Sequence, residues 1–403
     1  MADALDNVSS SLTPQIALGE YNDVFHVEWD NLNKITTNIH GTNVVNSTGG
    51  IMIQEVKADF DATDKNRILP LNKRNRMRGL KVETPCTLPP FDIYGRVGPR
   101  FPTDAVFLPP LEVNTVYSKC LKEYIMWMLI RMVGSRDQKQ LVAGFGGFVS
   151  STGLKPLRRS TIDYFTPINQ PFTEYCVIKE LLKISDDATK EVGQKYVLST
   201  FDLGGCMKAL PLIWKFPDDY KDHVITPGPF HTIMNYMGML TGHKCSGSGY
   251  SEILLEAGLV TSGSLASVLK GKAYAKAMFC LKTVSEAMER LMIEKFIEEE
   301  NAEIVGHEGF VSVVGNCSRQ SLDQALQNPS IIITLEKLEA YEQKVRAGHL
   351  GKTAKFWLSV IDHTRRIMML LYAVKTNNFD LFHKCNGDMA DLFFAYDGPN
   401  YSR

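Results

Sequence analysis

The first clear pattern along the chain is an alternation of apolar and polar residues in the segment 24–30. Its two faces differ in character: Phe25, Val27 and Trp29 on one, His26, Glu28 and Asp30 on the other. Such alternation predicts a half-buried β-strand. A turn is predicted at residues 31–33, a second strand at residues 34–39 and another turn at residues 40–43. A third strand follows, which is broken by Gly49 and Gly50 and resumes at residues 51–56. The N-terminal part therefore predicts an antiparallel meander of three strands, with an acid on the first.

A second pattern lies between residues 195 and 242. A compact apolar run at residues 195–202 predicts a strand that ends on Asp202, and residues 203–214 predict a helix. A short strand at residues 223–226 and a helix at residues 229–240 follow. Strand–helix–strand–helix order indicates a βαβ unit with parallel strands, whose carboxyl ends carry ligands in α/β proteins.

The remaining periodicity is helical. Helices are predicted at residues 111–132 and 172–184, throughout residues 249–348, and at residues 351–375. The core candidates of the last two regions repeat at intervals of three or four residues: Ala277, Leu281, Val284, Met288 and Leu291, then Trp357, Val360, Ile361, Ile367 and Met368.

Composition narrows the class of protein. The 403 residues are 44% hydrophobic with a formal net charge of −1, which is typical of globular proteins and argues against general polyanion binding. The eight scattered cysteines contain no Cys-x-x-Cys pair, which favours reduced thiols inside a cell. The polar N-terminus shows no secretory signal. The most apolar run, residues 124–133, contains Arg131 and predicts a buried helix, so we expect no membrane partner.

A basic stretch at residues 65–81 is the exception to the balanced charge, since it contains no acid. Its densest part comprises Lys73, Arg74, Arg76 and Arg78. One interpretation is contact with nucleic-acid phosphates or a nuclear-import signal, which makes DNA a candidate partner. The alternative is a solvated surface loop.

The order of these elements resembles the ribonuclease-H-like fold of cut-and-paste transposases. The resemblance implies an α/β fold with a mixed sheet and a large all-helical insertion. It also implies three metal-binding carboxylates: on the first strand, after the fourth strand, and on a helix after the insertion. The matching positions are Asp30, Asp202 and Asp362. Two Mg²⁺ or Mn²⁺ ions held by such acids stabilise the attacking and leaving oxygens of phosphodiester cleavage.

Each candidate has an alternative role. Asp30 alternatively begins a turn with Asn31, and Asp202 alternatively caps the following helix. Asp362 alternatively pairs with Arg365 or Arg366 on its own helix. His231, in the first turn of a predicted helix, is a candidate phosphate or metal contact or a structural histidine.

The chain also resembles a family of animal proteins associated with transposable elements. The resemblance rests on the order of short segments: residues 27–31 (Val-Glu-Trp-Asp-Asn), 195–202, 228–232 (Gly-Pro-Phe-His-Thr), 247–249, 255–258, 271–274, 356–363 and 392–401. It implies descent from a mobile element's protein. Pro229 stands where relatives carry an acid and cannot bind metal, which favours a degenerate or domesticated domain.

The predicted organisation is a disordered tail (1–21), a ribonuclease-H-like core (22–242) with a basic and proline-rich connector (60–110), a helical insertion (243–348), and C-terminal helices that complete the core (349–403). The predicted function is metal-dependent DNA cleavage or strand transfer, ancestral or retained. The alternative is a non-enzymatic domain that binds nucleic acid or protein, or a remnant without activity. An intracellular protein, nuclear if the basic stretch is an import signal, is expected, and a homo-oligomer is compatible with it.

Overall fold

A computed structural model describes residues 25–38, 41–56, 88–94, 98, 115–137, 143–152, 159–165, 167–168, 170–300, 319–396 and 398. The chain divides into two compact units. The sheet unit comprises Met1–Phe101 and Arg158–His231, and the helical unit comprises Pro102–Leu157 and Thr232–Arg403. The protein is thus a mixed α/β protein, as the pattern predicts.

The sheet unit contains a five-stranded mixed sheet. Its strands are β1 (Phe25–Asn38), β2 (Gly41–Val56), β3 (Arg159–Tyr164), β4 (Val197–Phe201) and β5 (His223–Pro227). Their order across the sheet is β3-β2-β1-β4-β5. β1 pairs antiparallel with β2 and β2 with β3, whereas β1 pairs in parallel with β4 and β4 with β5. Helices α3 (Tyr175–Glu191) and α4 (Leu203–Lys215) precede and follow β4, so the βαβ prediction for residues 195–226 is confirmed.

The predicted meander is correct in its antiparallel pairing and wrong in its strands. The predicted turn at residues 31–33 does not exist, because β1 runs unbroken to Asn38 in register with β2. A continuous ladder of backbone hydrogen bonds outweighs the weak turn preference of asparagine. The third strand of the meander is β3, which lies at an edge of the sheet. Its apolar residues Ile162 and Tyr164 are exposed, so no buried face marked it in the sequence.

The apolar face of β1 packs against α3. Phe25, Val27 and Trp29 are buried in one cluster with residues of α3 and α4. The Trp29 indole N–H donates a hydrogen bond to Ser185 Oγ at 3.0 Å, and its ring stacks on Phe165 with centroids 4.9 Å apart. These contacts fix which face of β1 points inward, so Glu28 and Asp30 lie on the other face.

Gly50 of β2 leaves the space that the Trp29 ring occupies. The two residues are paired across the strands, and a Cβ on residue 50 would lie 2.1 Å from Trp29 Cε3. Because Trp29 is buried, its ring cannot swing away. We expect Gly50→Ala to lower the free energy of unfolding by about 1–3 kcal/mol through overpacking, measured by urea denaturation. Gly263→Ala is the control, since no atom lies within 4 Å of its added Cβ. Equal stability of both variants would contradict this packing.

The helical unit is built from helices of up to 27 residues that pack around one apolar cluster. Its α-helices are α1 (Thr115–Asp137), α2 (Phe145–Thr152), most of α5 (Pro229–Gly238), α6 (Tyr250–Glu256), α7 (Ser262–Leu269), α8 (Tyr274–Glu300), α9 (Arg319–Gln327), α10 (Pro329–Ala347), α11 (Lys352–Thr376) and α12 (Phe379–Ala395), and a π-helical turn, Met239–Lys244, follows α5.

The predicted core positions of this unit are mostly buried. On α8, Ala277, Leu281 and Val284 are buried and Met288 packs against the cluster, but Leu291 is exposed, so its assignment to the core is wrong. The α8 stripe drifts off the buried face at that turn, where Ile293 is buried instead. On α11 the other predicted residues are buried and Trp357 is partly buried. The apolar run on α1 is buried, as expected for an internal helix.

The boundary between the two units lies at a different residue from the predicted end of the sheet-containing core. The prediction ends the sheet-containing core at residue 242, whereas the division falls between His231 and Thr232, within α5. The predicted C-terminal segment 349–403 contributes α11 and α12, whose buried residues belong to the cluster of the helical unit. The tail 1–21 and most of the connector 60–110 lie outside the described residues. Among the helices that the structure describes, none is long and apolar enough to cross a membrane.

Candidate functional site

Asp30 and Asp202 occupy neighbouring positions on adjacent parallel strands. The last three pairs between β1 and β4 are Val27 with Ser199, Glu28 with Thr200, and Trp29 with Phe201. The two acids are the next residues along the chain: Asp30 lies within β1, and Asp202 directly follows the end of β4. Because adjacent strands lie about 5 Å apart, the register brings together two residues that are 172 positions apart in the chain.

Asp202 directly follows β4 and is the N-cap residue of α4. Its backbone is extended (φ −63°, ψ 174°), and its Oδ1 accepts a hydrogen bond from Gly205 N at 2.7 Å. The helix-capping alternative is therefore correct. Capping uses one oxygen, and among the contacts of described residues Oδ2 has no hydrogen-bond donor. Capping thus holds the carboxylate in place while leaving its second oxygen available to a ligand.

Asp30 lies inside β1, opposite Gly49 of β2, so the alternative of a turn at Asp30 is wrong. Its Oδ1 accepts a hydrogen bond from Asn31 N at 2.7 Å. The side chain is exposed. No ion pair joins Asp30 or Asp202 to a cation in the described part of the chain, so neither charge is neutralised there.

Both acids line one cleft of about 580 Å³ in the sheet unit. Glu28 lines it too, since it lies two residues before Asp30 on the same face of β1. Its Oε1 is 3.4 Å from His26 Nε2. Glu28 is an acidic cleft residue that the sequence prediction leaves out, although the alternation in β1 places it on the same face as Asp30.

A buried thiol close to Asp202 does not supply a nucleophile. Cys206 is buried on α4, and burial, helped by the Asp202 carboxylate, raises the pKa of its thiol to about 12. The thiol therefore stays protonated at neutral pH, and the cleft offers carboxylates rather than a reactive cysteine.

Residues 144–403 match the model of a family described as a domain of unknown function, DUF8702. That stretch is more than half of the chain. The chain belongs to the DUF8702 family. No curated protein and no solved structure matches it. The family match includes Asp202, His231 and Asp362, and it begins after β1, so Asp30 and Glu28 lie outside the matched stretch.

His231 of this DUF8702 chain also lines the cleft, in the first turn of α5. Its ring meets that of Phe230 edge to face, with centroids 5.2 Å apart. Pro229 precedes both residues and lines the same cleft. The segment 228–232 of the sequence prediction thus contributes one wall of the site, and its histidine faces the same space as the two acids.

Asp362 is placed differently. It lies on α11 in the helical unit of the DUF8702 chain, and Arg346 of α10 donates hydrogen bonds to both of its oxygens, at 2.8 and 3.0 Å. Arg365 Nη1 lies 3.6 Å from Oδ1. The carboxylate therefore has two cationic partners, so the ion-pair alternative is confirmed, and the role of Asp362 as a metal ligand stays a prediction. The predicted partner on its own helix, Arg365, is the weaker of the two.

The carboxylates of the cleft fit a hard divalent ion in number and type. No three histidine, cysteine, aspartate or glutamate residues in the described ranges of the DUF8702 chain are grouped to hold a metal by themselves. Mg²⁺ in proteins commonly binds one or two carboxylates and completes its shell with water and substrate phosphate. Asp30 and Asp202 provide the two carboxylates that such a Mg²⁺ site needs. The basic candidates Lys73, Arg74, Arg76 and Arg78 lie outside the described residues.

Proposed function

We propose that the sheet unit is a ribonuclease-H-like domain that cleaves phosphodiester bonds in DNA with a divalent metal ion. The observation that carries the proposal is the placement of Asp30 and Asp202 directly after paired residues of adjacent parallel strands, lining one cleft. An acid on the first strand beside an acid after the fourth is what the resemblance to transposases implies. The antiparallel β3-β2-β1 arrangement next to parallel β4 and β5 also supports this fold.

In this proposal each residue of the cleft has a separate task. Asp30 and Asp202 hold Mg²⁺ or Mn²⁺, and the hydrogen bond from Gly205 N keeps the Asp202 carboxylate oriented. Glu28 adds a third negative charge on the same face, and His231 contacts the substrate phosphate from the opposite wall. A divalent ion bound there supplies stabilisation of negative charge on the oxygens of the phosphodiester during displacement.

Descent from a transposable element is part of the proposal. Its support is the order of short segments shared with the transposon-associated family. Three of these segments, at residues 27–31, 195–202 and 228–232, contribute to the cleft. Pro229, where relatives carry an acid, lines that cleft. Proline in place of that acid removes one possible metal ligand, and Asp362 is held in an ion pair. Both observations favour a domesticated domain with fewer metal ligands than an active transposase.

A second candidate function is a non-enzymatic domain that binds nucleic acid. The absence of a three-ligand group among the described residues favours it, because two carboxylates alone bind divalent ions weakly in the absence of substrate. In that case the cleft contacts nucleic acid without cleaving it.

Metal-dependent nicking of supercoiled plasmid by the full chain tests the first candidate. We expect conversion to nicked circles in Mg²⁺ or Mn²⁺ and none in EDTA, since the acids alone repel a phosphodiester. Asp30→Asn should abolish the nicking, and Asp219→Asn, an exposed acid in the loop before β5, should not. Nicking that persists in EDTA, or that survives Asp30→Asn, would rule out the proposed site. No nicking under any metal condition would favour the second candidate.

A further inference from the structure

Two exposed aromatic residues line the same cleft as the acids. Tyr164 of β3 is 59% exposed and Phe230 of α5 is 50% exposed. Large apolar rings that remain in water at a concave site indicate a surface that is covered when a ligand binds. Other rings that line the same cleft, Trp29, Phe165 and Phe201, are buried in the core of the sheet unit.

The sheet places these rings on either side of the acids. Tyr164 pairs with Ile51, Ile51 with Glu28, and Glu28 with Thr200, so Tyr164 and Glu28 share one row across the sheet. Two strand spacings separate them, about 10 Å. Phe230 follows β5, which is the opposite edge strand. The acids of β1 and β4 therefore lie between one aromatic wall and the other.

We propose that Tyr164 and Phe230 stack against the bases of an unpaired DNA strand whose backbone crosses Asp30 and Asp202. This inference rests on the proposed function, and it defines the substrate as single-stranded or locally unpaired. A duplex hides the faces of its bases within the stack, so only an unpaired strand offers them to a protein ring. Stacking on aromatic side chains contributes to binding at each base and tolerates any sequence.

The charge of the cleft adds a condition to this binding. Glu28, Asp30 and Asp202 give it a negative potential that repels phosphates. A divalent ion between acids and phosphates reverses that repulsion, so strand binding at this cleft should depend on Mg²⁺. An acidic peptide would meet the same repulsion but has no bases to stack.

Fluorescence anisotropy with labelled oligonucleotides tests the inference. The probes are a short oligothymidylate, an abasic strand of the same length, and the corresponding duplex, each titrated with the full chain in Mg²⁺ and in EDTA. Each strand is checked for integrity after titration. We expect the oligothymidylate to bind in Mg²⁺ more tightly than the abasic strand and the duplex, and to lose binding in EDTA.

Variants assign that binding to the two rings. Tyr164→Ala and Phe230→Ala should each weaken oligothymidylate binding by about 5- to 100-fold, with little effect on the abasic strand. Tyr164→Phe should retain binding, because it retains the ring. The matched control is Tyr196→Ala. Tyr196 is 52% exposed and lies just before β4, at the end of that strand opposite to Asp202.

The outcomes separate this inference from the proposed catalysis. Equal binding of the abasic and thymidylate strands, no detectable binding of either, or an unchanged affinity in both alanine variants would overturn the stacking role. If one of these results is found and Tyr164→Ala still nicks plasmid, the stacking role is rejected and the proposed metal site is retained. Ring-dependent strand binding without any nicking would support the aromatic walls and reject the cleavage reaction.

Discussion

Asparagine in place of Asp202 is expected to lower metal-dependent nicking by more than about 100-fold while the sheet unit stays folded. Loss of a metal-binding carboxylate removes several kcal/mol of charge stabilisation, and each 1.4 kcal/mol corresponds to a factor of ten in rate. The cap survives because asparagine is as good an N-cap as aspartate. The chain itself shows this, since Asn328 and Asn378 cap α10 and α12 by accepting hydrogen bonds from Ser330 N and Leu381 N.

A second substitution at the same position separates capping from catalysis. Asp202→Ala removes the acceptor for Gly205 N as well as the charge, so we expect it to lose the same activity and also about 1 kcal/mol of stability. Nicking rates and urea unfolding curves of both variants give the comparison. Asp218→Asn, on the exposed loop after α4, is the charge-matched control. Full activity in Asp202→Asn would mean that Asp202 only caps α4 and does not bind the metal ion.

Local sequence patterns predict those features of the site that depend on secondary structure alone. The apolar run before Asp202 and the helix after it give both the strand end and the cap. The alternation in residues 25–30 puts Glu28 and Asp30 on one face. The alignment of Asp30 with Asp202 depends on the parallel register of β1 with β4. That register follows from packing of Trp29 and Phe201 in a shared core, which no local pattern specifies.

The missing turn at residues 31–33 and the bidentate partner of Asp362 both depend on long-range pairing, which local patterns do not predict. β1 remains extended through Asn31 because β2 satisfies its backbone along the whole hairpin. Asp362 has an arginine three residues later on its own helix, but its bidentate partner is Arg346, sixteen residues earlier on another helix. Intervals of three and four residues predict contacts within one helix only. Contacts between elements depend on the tertiary packing.

Asp362 belongs to a buried ion-pair network centred on Arg365. The Arg365 guanidinium, 2% exposed, donates hydrogen bonds to Glu289 on α8 and to Glu342 on α10. Burial raises the pKa of Glu289 despite the guanidinium. Burial also acts to raise the pKa of Glu342, but Arg365 and Arg346 together outweigh it and lower that pKa. Among the described residues, Arg365 is the cation that pairs with Glu289, and the other hydrogen-bond donor to this carboxylate is the neutral Tyr124 hydroxyl.

Replacing Arg365 with methionine is expected to lower the free energy of unfolding by about 3–5 kcal/mol, because it leaves Glu289 buried without a cation. Removing the guanidinium raises the pKa of Glu289 further. The folded state then holds a proton that the unfolded state has released, so the deficit should shrink as the pH falls from 7 towards the ordinary glutamate range. Urea unfolding followed by far-ultraviolet circular dichroism at pH 7 and pH 5 measures both effects.

Two further variants decide whether the uncompensated charge is the cause. Arg365→Met combined with Glu289→Gln should recover much of the loss, because glutamine is neutral and still accepts a hydrogen bond from Tyr124. Lys344→Met is the matched control, since it breaks an exposed pair with Glu300 that also joins α10 to α8. We expect that control to cost less than about 1 kcal/mol. A double variant no more stable than Arg365→Met would attribute the loss to packing of the arginine side chain instead.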